Sequence, residues 1–361
     1  MNAKPVFHGS DIEKICEYYH LKKEEIVNFA ANVNPLGLSE EVKSGIAARL
    51  DLLSSYPDRE YTSLRETISK YCGIPAEFIL PGNGSSELIS LLIETRNPKR
   101  TLILGPTYSE YSRELSFSGS TQEYYHLKET ENFEPDVDDL CRTLDRGYDF
   151  LIMCNPNNPT SSAVKQSDLL LILDHCAKRG IFVMIDETYV EFAPDISEIT
   201  AVPLTRKYEN LMVLRGVSKF FAAPGLRLGY GITGNHRFLK EMREKQVPWS
   251  LNSIGAYAGE LMLKDSSYIR RTRDLILPER ERMYQTVLQT PDYKTYRPYA
   301  NFLLVRIMRK GMTSADLFEK CIRRGLMIRD CSSFQCLDGE YVRFCVMRPE
   351  DNSRLLTVLG T

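Results

Sequence analysis

Lys219 lies three residues past the apolar run LMVLRG and eight residues before Arg227, across a Pro-Gly break, in SKFFAAPGLRLGY. A lysine held in a desolvated place gives up its proton more readily and attacks an aldehyde. An arginine offers a two-pronged, charge-assisted grip on a phosphate. Asp186 closes the run IFVMID, with Tyr189 three residues on, and a carboxylate there can pair with a protonated ring nitrogen. Asn158 in CNPNNPT can donate to a phenolic oxygen, and Tyr108 in GPTYSEY can stack on a flat ring. Gly84, Ser85 and Ser86 in GNGSSE read as a serine-capped helix start, whose free backbone N–H groups and hydroxyls suit a phosphate.

Each feature alone is ordinary. A lysine after a strand is usually solvated, Asn-Pro-Thr is usually a turn, and a Gly-Ser pair commonly opens a helix. Together they offer partners for an aldehyde, a pyridine nitrogen, a phenolic oxygen and a phosphate. One cofactor carries all four groups, pyridoxal 5′-phosphate, and a protein's part toward it is to hold it and tune it.

Such residues converge only if the strands before them end at one rim. Short apolar runs at 101–105, 150–155, 181–186, 211–216 and 228–233 read as strands. Helical periodicity lies between several of them, as in SDLLLILDHCAKRG, where Gly180 marks a stop. Alternation of this kind predicts an α/β fold with a large, mainly parallel sheet flanked by helices. Ligands then bind beyond the carboxyl ends of the strands. The ends of the chain read differently. Residues 1–35 give one helix, DIEKICEYYH, and an extended arm. Residues 297–361 give strand NFLLVRI, helix TSADLFEKCIRRG, a short strand LMIRD and strand YVRFCVM. The expected organisation is an arm at 1–35, a large domain at 36–250, linking helices at 251–296 and a C-terminal unit at 297–361. The two ends together would make a small α+β domain.

Composition excludes several classes. The chain has 361 residues, 43% apolar and 26% charged, with a net charge of −2 and no basic run, which argues against nucleic acid as a partner. No stretch of about 18 apolar residues suggests a membrane span, and the start lacks the apolar core of a signal peptide. Nine scattered cysteines without a Cys-x-x-Cys predict reduced cytoplasmic thiols and no metal site.

In order along the chain, SYPDREYTSLRETISKYCGI, GNGSSELI, GPTYSEY, NPNNPT, DETY and SKFFAAPGLRLGY resemble the motifs of the fold-type I, aspartate-aminotransferase-like family of pyridoxal-phosphate enzymes. The resemblance implies that Lys219 carries the cofactor and that Asp186 holds its ring nitrogen. It assigns Asn158 and Tyr189 to the phenolic oxygen and Tyr108 to the ring face. The phosphate falls to Gly84, Ser85, Ser86, Ser218 and Arg227. Tyr61 would reach the phosphate of the partner subunit in a homodimer that shares its active sites. Two positions depart from the pattern. Ser161 stands where the family usually has Gly, and Gly216 where many members have a Ser or Thr phosphate ligand.

Two branches of the family fit. FAANVNPLG, RDCSSF followed by YVRFCV, and an N-terminal His-Gly resemble L-threonine-O-3-phosphate decarboxylases most closely, with histidinol-phosphate aminotransferases next. The resemblance implies a substrate site from Asn32, Asn34, Arg329 and Arg343, with His8 over the substrate phosphate. Two arginines in apolar surroundings suit a doubly anionic substrate. The expected reaction is decarboxylation of a small O-phospho-amino acid, with transamination as the alternative. A non-catalytic ligand-binding role is the reading from another class.

Overall fold

The computed structural model describes residues 11–360. Its strands are β1 (Val27–Asn28), β2 (Ile79–Asn83), β3 (Arg100–Gly105), β4 (Thr121–His126), β5 (Phe150–Cys154), β6 (Phe182–Asp186), β7 (Leu211–Gly216), β8 (Leu228–Ile232), β9 (Tyr293–Thr295), β10 (Phe302–Ile307), β11 (Leu326–Met327), β12 (Arg329–Asp330) and β13 (Tyr341–Cys345). Seven of them form the large sheet, in the order β2-β8-β7-β6-β5-β3-β4. Strands β3 to β7 run parallel, and β8 runs against both of its neighbours.

The apolar runs explain the centre of this sheet. FLIMC, FVMID and LMVLRG are buried along their whole length. Their side chains alternate between two cores: Leu151, Val183 and Val213 pack on one face, Ile152, Met184 and Met212 on the other. Helices cover both faces, as a parallel sheet requires. Gln166–Lys178 is one of them, and Ile181 N–H closes its end on the Cys176 carbonyl 3.0 Å away, with Gly180 in the left-handed region.

Two strands lack a clear sequence signal. The edge strand β2 contains Pro81 and Gly82, which read as a turn; proline is tolerated at a sheet edge because no ladder donor is needed there. The opposite edge, β4, is the polar TQEYYH.

The smaller antiparallel sheet runs β12-β13-β10-β9. The segment LMIRD, expected as one strand, divides at Ile328. Its first half, β11, pairs in parallel with β1 of the N-terminal arm, and its second half, β12, joins β13. Helices Ser253–Lys264 and Ser266–Leu288 lie between the two sheets in sequence. Among the described residues, no helix is long and apolar enough to cross a membrane, and no group of three acidic, His or Cys residues could hold a metal ion.

Candidate active site

A cavity of about 410 Å³ opens beyond the carboxyl ends of β5, β6 and β7. Gly84, Ser85, Ser86, Tyr108, Asn158, Asp186, Tyr189, Ser218, Lys219 and Arg227 all line it, as do Asn32, Arg329 and Arg343 from the terminal segments. Strand endings set the first group. Asp186 is the last residue of β6, and Ser218 and Lys219 follow β7 after Val217.

Asp186 is 4% exposed. Its Oδ2 accepts from the Tyr111 hydroxyl at 2.7 Å, and its Oδ1 accepts from the Thr188 backbone N–H at 2.9 Å and the Thr188 hydroxyl at 2.6 Å. Lys219 Nζ donates to the Ala31 carbonyl at 2.8 Å. Burial, then the Arg343 charge beside it, lowers the Lys219 ammonium to about 8. Burial pushes the Tyr108 hydroxyl up to about 12, and its ring meets that of Tyr111 edge-on at 5.6 Å.

Asn158 is presented by a loop that its neighbour locks. Asn157 donates to the Pro106 carbonyl and to Thr160 Oγ1, both at 2.8 Å, and accepts from Thr107 Oγ1 at 2.8 Å. Asn158 Oδ1 then accepts from the Arg343 guanidinium. Tyr189 Oη accepts from Asn32 Nδ2 at 3.3 Å.

The phosphate end is built by close approach. Gly84 has φ +82°, and a Cβ there would lie 2.5 Å from Arg227 Nη2. A Cβ on Gly229 would lie 2.4 Å from Ser85 N. Both positions therefore need glycine for the helix start and the guanidinium to meet. The expected serine cap is not seen: Asn83 precedes the helix Gly84–Arg96 and caps it with no side chain, while Glu87 bonds back to the Asn83 N–H. The serine hydroxyls stay free of that task. At Gly216 a side chain would meet the Leu228 carbonyl at 3.3 Å, so the tight β7–β8 pairing favours the departure from Ser or Thr.

Arg343 is 5% exposed, and its two hydrogen-bond acceptors, Asn158 Oδ1 and the Ala30 carbonyl, are both neutral. Its Nε has no partner. Arg329 Nη2 donates to Ser333 Oγ at 2.8 Å. Arg329 and Arg343 are directly opposed across the β12–β13 pair. Burial, with Arg343 contributing, lowers the Arg329 guanidinium. Like charges directly opposed on a sheet destabilise it, and both guanidinium groups line the cavity. Among the described residues, the cavity lining carries four cationic side chains, Lys219, Arg227, Arg329 and Arg343, and one carboxylate, Asp186.

Of the remaining expected residues one is placed elsewhere, and two are not tested by a single described chain. Asn34 does not line the cavity. Its amide nitrogen donates to the Phe220 carbonyl at 2.8 Å, Tyr268 Oη at 3.0 Å and Thr272 Oγ1 at 2.9 Å, and its oxygen accepts from the Leu36 N–H. It fixes the chain after Lys219 and has nothing left for a substrate. Tyr61 lies outside its own chain's cavity and donates to the Leu251 carbonyl at 2.9 Å. His8 lies outside the described residues. Conversely, Tyr111 and Thr188, which hold Asp186, were not singled out from the sequence. The available signal was position, since Tyr111 follows Tyr108 by one helical turn and Thr188 sits inside DETY.

Residues 24–359 match the sequence model of the family described as aminotransferase class I and II. The chain belongs to that family. The cofactor is pyridoxal 5′-phosphate, and the glycine-lined cradle, the buried amine and the buried carboxylate fit it. The chain is 33% identical over 352 residues to the threonine-phosphate decarboxylase of Salmonella typhimurium, covering 98% of this chain and 95% of that one. It is 30% identical over 362 residues to the histidinol-phosphate aminotransferase of Methanothermobacter thermautotrophicus, covering 99% and 95%. Among solved structures, the histidinol-phosphate aminotransferase from Clostridium acetobutylicum superposes with a TM-score of 0.86 at 30% identity, over 92% of this chain and 97% of that one. The protein is thus an enzyme of the pyridoxal-phosphate-dependent decarboxylases and aminotransferases.

Proposed function

We propose that the enzyme decarboxylates a small O-phosphorylated amino acid, O-phospho-L-threonine being the first candidate, to CO₂ and a phosphorylated amino alcohol. The observation behind this reading is the directly opposed, buried pair Arg329 and Arg343. Arg227 and the helix start at Gly84 would hold the cofactor phosphate, with Ser85, Ser86 and Ser218 adding hydroxyls. Asp186 would hold the ring nitrogen, Asn158 and Tyr189 the phenolic oxygen, and Tyr108 the ring face. Arg329 and Arg343 line the rest of the cavity, and two cations there suit a substrate with two anionic groups. The likeness to a threonine-phosphate decarboxylase supports the same reading.

When bound, pyridoxal phosphate supplies an electron sink for the bond broken at the substrate Cα. The chain's own residues choose the bond. Arg343 Nη1 and Nη2 would orient the carboxylate, and Arg329 with Ser333 Oγ the second anion. Lys219 Nζ, with its ammonium lowered to about 8, is about nine-tenths protonated at pH 7, and that form would return the proton to Cα. Transamination is the second reading, favoured by the aminotransferase likeness. Two assays separate them. O-phospho-L-threonine alone should yield CO₂ and aminopropanol phosphate. Glutamate formed from histidinol phosphate and 2-oxoglutarate, without CO₂, would establish the alternative.

A homodimer belongs to the same proposal. Leu50, Leu53, Tyr56, Val247 and Trp249 are exposed, with the Tyr56 and Trp249 rings 4.9 Å apart, close in sequence to Tyr61 and to its acceptor Leu251. Sedimentation of Trp249→Glu beside the parent tests it: a dimer that the substitution dissociates supports this face, and a monomeric parent rejects it.

A further inference from the structure

The ladder between β6 and β7 ends where Asp186 stands beside Leu214, and the Glu187 N–H donates to the Leu214 carbonyl at 2.8 Å. The next residues on each strand, Glu187 and Arg215, continue the pairing with their side chains. Arg215 Nε and Nη2 reach Glu187 Oε2 at 3.0 and 2.8 Å. Thr200 Oγ1 accepts from Arg215 Nη2 at 2.8 Å and donates to the same carboxylate oxygen at 2.9 Å. The Ala201 N–H bonds to Glu187 Oε1. Glu187 is fully buried and Arg215 is 5% exposed. Neither lines the cavity. Each sits next to the chemistry, Glu187 directly after Asp186 and Arg215 four residues before Lys219.

We propose that the Arg215–Glu187 pair is a positioning device that fixes Asp186 relative to Lys219 across the ends of β6 and β7. The inference rests on the reading that these two residues hold the cofactor. Its physical basis is alternation. Successive residues of a strand point to opposite faces, so a rigid fork behind the sheet locks the backbone that aims Asp186 into the cavity in front. Two N–H groups of one planar guanidinium converge on Glu187 Oε2 while the Ala201 N–H holds Oε1, so the contact resists both sliding and splaying of the two strands. An apolar pair would resist neither. The other groups around Arg215 are Glu191, Cys72, Tyr230 and Tyr71. Glu191 is buried, with Oε2 unpartnered, so the guanidinium also faces a second carboxylate. Glu187 alone accepts from two N–H groups of the guanidinium.

The test uses the full chain loaded with pyridoxal phosphate. The variants are Arg215→Lys, which keeps the charge and removes the fork, Glu187→Gln, and the double variant Arg215→Met/Glu187→Gln. The readouts are the cofactor dissociation constant and the pH midpoint of the visible absorbance of lysine-bound cofactor, with thermal melting alongside. The account expects cofactor affinity to fall by about tenfold or more and the midpoint to move by about half a pH unit or more in Glu187→Gln and the double variant, with Arg215→Lys between them and the parent. The midpoint also senses Arg343, Arg227 and Cys345 around Lys219, which all variants retain. Variants that melt lower yet keep the parental midpoint and an affinity within about twofold would overturn the proposal, reducing the pair to a structural role. A parent protein with no visible band, or a Lys219→Ala variant that keeps one, would instead reject the site assignment on which the inference rests.

Discussion

The two walls of the cavity treat charge in opposite ways. On the large-sheet side, the carboxylates are answered within the chain. Asp186, in the cavity, has three donors, from Tyr111 and Thr188, and Glu187, behind it, has Arg215. On the small-sheet wall, Arg343 has only neutral acceptors and faces Arg329 across the β12–β13 pair. The first wall is organised before any ligand arrives. On the function proposed above the second is organised for one, because Arg343, with neutral acceptors and a like charge opposite, is stabilised by an anion beside it. The comparison predicts that changes on the first wall act on cofactor and stability, and changes on the second on substrate.

The largest effect belongs to Lys219. Lys219→Ala should lose the visible absorbance of bound cofactor and at least about 10³-fold in turnover; a retained band in the loaded protein would contradict its role. Next comes Glu187→Ala, which leaves Arg215 buried without its carboxylate. It should lose roughly 3–5 kcal/mol of stability, read by denaturant unfolding, and a loss under about 1 kcal/mol would break the distinction between the walls. Arg343→Gln should behave in the reverse manner. Unfolding should change little, while kcat/KM for an anionic substrate falls roughly 10- to 100-fold through KM and kcat together. Cofactor capture sharpens the picture further. Because the folded Lys219 ammonium lies at about 8, lowered from 10.5, the neutral amine grows about tenfold per pH unit below that value and levels off above it. Stopped-flow capture by the cofactor-free protein should follow this curve, and a rise continuing unchanged to pH 10 would show an unperturbed lysine.

The smallest effect is expected at the seam between the walls. Ser161 adopts φ +60°, which accounts for the glycine usual there. Its hydroxyl, however, accepts the Ala300 N–H at 2.9 Å, and its carbonyl accepts the Tyr299 N–H at 2.8 Å. Relief of about 1 kcal/mol of backbone strain opposes the loss of about 1 kcal/mol of hydrogen bonding, so Ser161→Gly should leave the unfolding free energy nearly unchanged. A loss above about 2 kcal/mol would mean that the serine contributes more than one bond.

The first wall was far more legible in the sequence than the second. Largely apolar runs that end in Asp186 or lead to Lys219 announce buried strands and the rim beyond them. The edge strands β2 and β4 were hidden because an edge tolerates Pro81 and a polar face, which erases the pattern. Asn32 and Asn34 look alike in FAANVNPLG, and only long-range packing separates them. Asn34 spends its amide on Phe220, Tyr268 and Thr272, whereas Asn32 faces the cavity. The opposition of Arg329 and Arg343 was likewise out of reach, since it depends on the division of LMIRD at Ile328. The arginines themselves were legible, because a charge inside YVRFCV needs a reason.

The most direct test of the central claim is one reaction: purified enzyme, pyridoxal phosphate and O-phospho-L-threonine, with no keto acid present, followed for CO₂. The account predicts CO₂ released in step with aminopropanol phosphate, and loss of both in Arg343→Gln. An enzyme with an intact visible band that releases no CO₂, yet forms glutamate from histidinol phosphate and 2-oxoglutarate, would contradict it.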